Sequence, residues 1–228
     1  MRFVRNKAGD MGIGAMIVFI AMVLVAGIAA SVLVQTANKL QNQAMTTGTE
    51  TTNEVATGIG VNDICAEKGT YNYGGAIGTV TDKICNVTIS VSPRSGSKDV
   101  DLSKTTVEVT DSSTKIVLNY TASRFIDYST IGNAGIFDNT VAAFNASVKS
   151  FGVMVLQDTD QSCGVSTSTN PVINRGDHVL ITICPGKSFG GWGPSTDIWG
   201  MIIPEQGAPG IFAFRTPSSL SGTIFDLY

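Results

Sequence analysis

No charged side chain occurs between Met11 and Val34, and apolar residues fill most of that run. About 24 residues rise to about 36 Å as an α-helix, more than the ~30 Å hydrocarbon core of a bilayer. A helix apolar on all sides is at rest only in lipid or inside a bundle. Past Val34 the pattern thins to Ala37, Leu40, Ala44, Val55 and Ile59 among Gln, Asn and Thr. This predicts an amphipathic extension to about Thr57, with Gly58 and Gly60 as stop signals. The stretch Thr46 to Thr52 has poor helix propensity and is expected to be helical only where neighbours pack on it. From about residue 80 the period shortens to two. β-Branched residues alternate in Asn86 to Val91, Thr106 to Thr110, Lys115 to Tyr120, Phe151 to Leu156, His178 to Ile183 and Ile211 to Phe214. Asp111-Ser112-Ser113 reads as a hairpin turn and Ser92 to Gly96 as a loop. The expected fold class is α+β: a long N-terminal hydrophobic helix, then an all-β outer domain, a sandwich or barrel of Ig-like kind with its own core.

Charge sets the orientation. Arg2, Arg5 and Lys7 precede the apolar run with no acid until Asp10, and Lys/Arg-rich flanks stay on the cytoplasmic side. Residues beyond about 40 are therefore expected outside. Their mildly acidic composition argues against a nucleic-acid partner.

Three readings of the N-terminus compete: a signal peptide cut near Ala29-Ala30-Ser31, an uncleaved anchor, and a leader cut before the apolar helix. The run exceeds the ~7–15 residues of a signal h-region, which disfavours the first. The helix also carries small residues at four-residue spacing, Ala26 with Ala30 and Gly27 with Ser31. Such pairs let neighbouring backbones approach closely, although small residues are common in any membrane helix. The large side chains, Phe19 among them, act as a lock. Each is worth about 1.5–3 kcal/mol when kept from water, so together they outweigh the ~4–15 kcal/mol of rigid-body freedom lost on association.

The segment Gly12 to Ala44, preceded by Lys7-Ala8-Gly9, resembles the N-terminus of archaellins, the archaeal flagellins related to type IV pilins. The resemblance is dense over about 50 residues and general beyond about Gly60. It implies cleavage by a prepilin-type aspartic signal peptidase between Gly9 and Asp10. Residues 1–9 then form a cleaved leader, 10–60 a filament-core helix and 61–228 an extracellular β domain. Loss of the leader moves the formal charge from -3 to -6, twelve cations against eighteen anions. Gly12 and Gly14 become the third and fifth mature residues, unlike bacterial pilins, which usually carry Glu at the fifth. The resemblance further implies self-assembly into a homopolymer or mixed archaellin filament for swimming, from a membrane-inserted precursor. An assembly ATPase and a membrane platform are implied partners. The alternative is a membrane-anchored adhesion pilin or surface binding module of the same topology.

Cys65, Cys85, Cys163 and Cys184 all fall on the outer side, where an even count suggests disulfides. Four cysteines allow three pairings. The local pairs Cys65 with Cys85 and Cys163 with Cys184 are preferred because their short loops close easily, each worth roughly 3 kcal/mol in the chain-entropy model. Asn86, Asn119 and Asn145 head glycosylation sequons. Archaellins are commonly N-glycosylated, which implies an oligosaccharyltransferase as partner. Arg175-Gly176-Asp177 reads as a plain loop, and Gly190 to Pro194 as a surface loop with Trp192 and Trp199 as candidate subunit contacts. The single histidine, His178, and scattered carboxylates offer no nucleophile with a base. No enzyme and no cofactor are expected, and a structural metal ion in the outer domain stays open, without assigned ligands.

Overall fold

The computed structural model describes residues 7–73, 76–132, 135–138, 141–144, 148–164 and 170–227, with the backbone alone over 7–10 and 70–79. Helix α1 (Lys7–Ala56) contains no proline. Its Thr-rich stretch is helical as well, despite its poor propensity. The hydroxyls of Thr46, Thr49 and Thr51 donate back to the carbonyls of Asn42, Thr46 and Thr47 at 2.8–3.0 Å, so these side chains bond to their own helix. The last helical bond runs from Thr57 N–H to Asn53 O, and Gly58 then enters a bridge with Ala208. Residues 1–51 and 52–228 form two compact units.

The second unit is built from β1 (Ile59–Tyr73), β2 (Ala76–Pro93), β3 (Val100–Asp101), β4 (Thr106–Asp111), β5 (Thr114–Asp127), β6 (Ser150–Gln157), β7 (Val172–Ile173), β8 (His178–Ile183), the single-turn α2 (Pro185–Ser188), β9 (Asp197–Ile203), β10 (Gly210–Arg215) and β11 (Ile224–Asp226). Nine strands make one sheet in the order β10-β9-β4-β5-β6-β8-β2-β1-β11, and β3 pairs with β7 alone. Within the sheet only β5 and β6 run parallel. The sheet curls until its β10 end meets the start of β1. A methyl group at Gly210 would stand 3.2 Å from the Ile59 carbonyl oxygen.

Both faces of the central strands are covered. Alternation sends Ile64, Ile89, Val107, Leu118, Val153 and Ile181 into the main core inside the curl. On the opposite face Met154 and Leu180 pack under Phe137, Val141 and Phe144 of the segment that links β5 to β6. Thr182 Oγ1 donates to Ala143 O at 2.9 Å and holds that strip down. Gly152 lies directly beneath it, and a Cβ there would collide with the Ala143 carbonyl and the Thr182 hydroxyl.

Two sequence expectations are corrected here. Trp192 is not a surface contact. Gly190 and Gly191, both at positive φ, turn the chain so that Trp192 returns to the core at 1 % exposure against Phe189 and Phe214.

The local cysteine pairs also fail, and all four cysteines are thiols in the structure. Cys65 is in register with Thr88, three residues along β2 from Cys85. Their Cα atoms are therefore roughly 10 Å apart, beyond the ~7 Å that a disulfide spans. Cys163 sits in the core inside the curl, whereas Cys184 follows the last residue of β8 and precedes α2.

Gly152→Ala is expected to lift the covering strip and cost about 1–3 kcal/mol. Gly135→Ala, where no atom lies within 4 Å of the added carbon, is expected to be near neutral. Thermal unfolding of both full-length variants in detergent micelles reads the difference.

Candidate functional site

Fifteen large apolar side chains from Met11 to Val34 are exposed along α1. Water does not tolerate such a rod, so it is an association surface by composition alone. Ala26 lies in a shallow apolar trough lined with Val18, Ala21, Met22, Val25 and Ala29, the shape into which a ridge of a neighbouring helix fits. A Cβ on Gly12, Gly14 or Gly27 would meet nothing within 4 Å. The chain's own packing therefore does not require glycine at these positions. Ala30 and Ser31 continue the same helix, with Ser31 Oγ accepting from Gln35 Nε2 at 3.4 Å. Gly9 and Asp10 lie in its first turns.

The three sequons part company. Asn119 is exposed on β5. Asn86 is only 1 % exposed, and its Nδ2 donates to Glu67 Oε2 at 2.9 Å; the folded domain closes it to a glycan. Asn145 lies outside the described residues.

Asn86 lies close to a cleft of about 670 Å³ between the outer face of β1 and β2 and the covering strip. Asp63, Cys65, Glu67, Thr88, Phe137 and Asp138 are among its walls. Burial pushes the Glu67 carboxyl up, against the Asn86 hydrogen bond, and the Asp138 charge adds to the rise. Sequence reading missed this cleft because its residues come from separate segments spread between Asp63 and Ile224, with no shared motif.

Asp158, Asp160 and Asp177 also converge, one oxygen from each lying within 4.8 Å of the others. Asp158 accepts from Cys163 N–H at 2.9 Å, and Asp177 accepts from Asn174 N–H at 2.8 Å. Asp177 is 2 % exposed, and burial is the main cause that raises its pKa. Among the described residues this is the carboxylate set whose oxygen chemistry suits a hard divalent cation. The only sequence signal was the Asp-x-Asp spacing at 158–160. Arg175 and Gly176 make the plain turn expected of them, and His178 is an exposed strand residue.

At the β10 end of the sheet, Trp199 (48 % exposed), Met201 and Ile211 form an uncovered apolar strip with Val117. Register explains it: Trp199 faces Ala213 and Thr110, and Met201 faces Ile211 and Glu108.

Residues 9–214 match the family model for archaeal-type flagellin. The chain is 40% identical over 222 residues to Flagellin B2 of Methanocaldococcus jannaschii, covering 97% of this chain and 94% of that relative. It is 38% identical over 228 residues to Flagellin B1 of Methanococcus voltae, covering 99% and 97%. In structure it is similar to a crystallised archaeal flagellin of Methanocaldococcus jannaschii, with TM-score 0.62 and 26% identity over 75% of this chain and 97% of that one. The subunit of the archaeal flagellum of Methanospirillum hungatei shares the fold, with TM-score 0.59 and 17% identity over 94% of this chain and 98% of that one.

The cleft generates a pH prediction. A carboxyl with a raised folded pKa binds its proton more tightly in the folded state, so stability falls as pH rises through that pKa. Glu67→Gln preserves an acceptor for Asn86 and removes the charge. The variant is expected to unfold at a higher temperature than the parent at pH 7, and at the same temperature near pH 3. Parallel melting profiles across that range would show a solvated carboxylate instead.

Proposed function

This chain belongs to the archaeal-type flagellin family, and we infer from that premise that it is a structural subunit of an extracellular archaeal flagellum filament, polymerising with copies of itself for swimming. The observation that carries the reading is α1: a rod with fifteen exposed large apolar side chains in a chain that matches filament proteins over nearly its whole length. The family is structural rather than enzymatic. An adhesion pilin or anchored binding module is not favoured by these matches.

In this reading the precursor is held in the membrane by α1, with its basic head inside. A prepilin-type aspartic peptidase removes residues 1–9 between Gly9 and Asp10, and the helix is kept. Moving the helix from lipid to filament core exchanges one apolar surrounding for another and gains little. Extraction therefore draws on an assembly ATPase and a membrane platform. Once packed, the helix is held by the cost of wetting its side chains. Among the described sequons, the exposed Asn119 is the glycan acceptor for an oligosaccharyltransferase, and Asn86 is excluded by burial.

Mass spectrometry of filaments sheared from cells tests these assignments together. The expected result is a chain starting at Asp10 with glycan on the Asn119 peptide and an unmodified Asn86. A start at Met1 or near Ser31 would refute the retained-helix reading. Deletion of the gene is expected to remove swimming filaments; cells that still swim but attach poorly would favour the adhesion alternative.

A further inference from the structure

We propose that Lys39 of one copy pairs with Glu50 and Glu54 of a neighbouring copy, and that this contact sets the axial register of the packed α1 helices. The proposal rests on the filament reading and deepens it.

Lys39 is the one cation between Lys7 and Lys68. On a helix, side chains three and four residues apart are neighbours, and those places around Lys39 hold Gln35, Thr36, Asn42 and Gln43. Its own helix therefore offers it no acid. Gln35 and Thr36 are engaged within that helix as well, donating to Ser31 Oγ and Leu33 O. Glu50 and Glu54 have the opposite need. They stand four residues apart, where like charges repel, and no cation occupies the neighbouring places of either. The hydroxyls of Thr46 and Thr51 beside them are spent on helix carbonyls. All three charged side chains are exposed, and none makes an ion pair among the described residues.

Apolar neighbours draw these charges into the packed region. Leu40, Met45 and Val55 are 66 %, 63 % and 80 % exposed, so a second helix that covers them also passes the charges. A charge taken from water needs a partner. Copies of α1 offer Lys39 the acids Asp10, Glu50 and Glu54, and length decides among them. Along the axis Lys39 lies about 16 Å from Glu50, about 22 Å from Glu54 and about 44 Å from Asp10. Parallel copies offset by about 44 Å would share none of their ~36 Å apolar runs, whereas offsets of about 16–22 Å keep roughly 14–20 Å of them side by side. Hydrophobic burial has no direction and lets one rod slide along another. An ion pair made at one offset does not, which is the registry role that buried polar groups serve best.

Electron cryomicroscopy of native filaments tests the pairing. The expected map has neighbouring helices offset by about 16–22 Å, with Lys39 Nζ within ~4 Å of a Glu50 or Glu54 carboxylate oxygen of another copy. Lys39→Glu alone, and Glu50→Lys with Glu54→Lys, are each expected to lower the yield of sheared filaments roughly tenfold or more, while the processed subunit still accumulates in the membrane fraction. All three substitutions together are expected to restore filaments. Ordered filaments in which Lys39 faces solvent or any other group, full yield from Lys39→Glu, or a triple variant no better than Lys39→Glu would overturn the proposal. Each of those results leaves the filament reading standing, whereas absence of the parent chain from sheared filaments refutes that reading instead. Should a variant be lost from the membrane fraction, the map of the parent filament decides alone.

Discussion

The constraint from which the molecule's behaviour follows is that α1 is never left in water. Its large side chains are uncovered within the chain, so covering them is a task for other copies of the chain. Hydrophobic burial has no direction, and it sets how firmly a subunit is held rather than where it sits. Position is the work of shape: the trough around Ala26 and glycines with no neighbour of their own.

The outer domain solves the opposite problem, since it covers its own apolar side chains within one chain. One sheet with two covered faces accomplishes this. The curl encloses the larger core, and the β5–β6 link covers the reverse side of β6 and β8. Where that cover stops, polar and acidic groups appear at depth. Glu67 and Asn86 satisfy one another beside the cleft, and Asp177 is bonded to Asn174 in its own loop.

Much of this architecture was legible in the sequence, for identifiable reasons. An uncharged run of bilayer length has few alternatives, and α1 ends at Ala56, just before the Gly58 stop signal. The six expected strand runs lie within β2, β4, β5, β6, β8 and β10, because short β-branched and aromatic runs bounded by turn residues mark strands. β1 was not foreseen: its polar Asn62, Asp63, Glu67 and Lys68 obscure the inward Ile64 and Ala66. The register that sets Cys65 opposite Thr88, three residues from Cys85, is equally invisible in sequence. That is why loop length was a poor guide to cysteine pairing. Trp192 was misread because two glycines that mark a surface turn also allow the chain to fold back inward.

Parallel neighbours cannot be joined by a tight turn, and β5 and β6 are the one parallel pair in the sheet. The chain must travel the length of the strand to begin again, and the travelling segment is the same one that roofs Met154 and Leu180. Wiring and roofing are thus a single piece of polypeptide. A lineage that lengthened this detour would reshape that face of the domain while every strand register stayed in place.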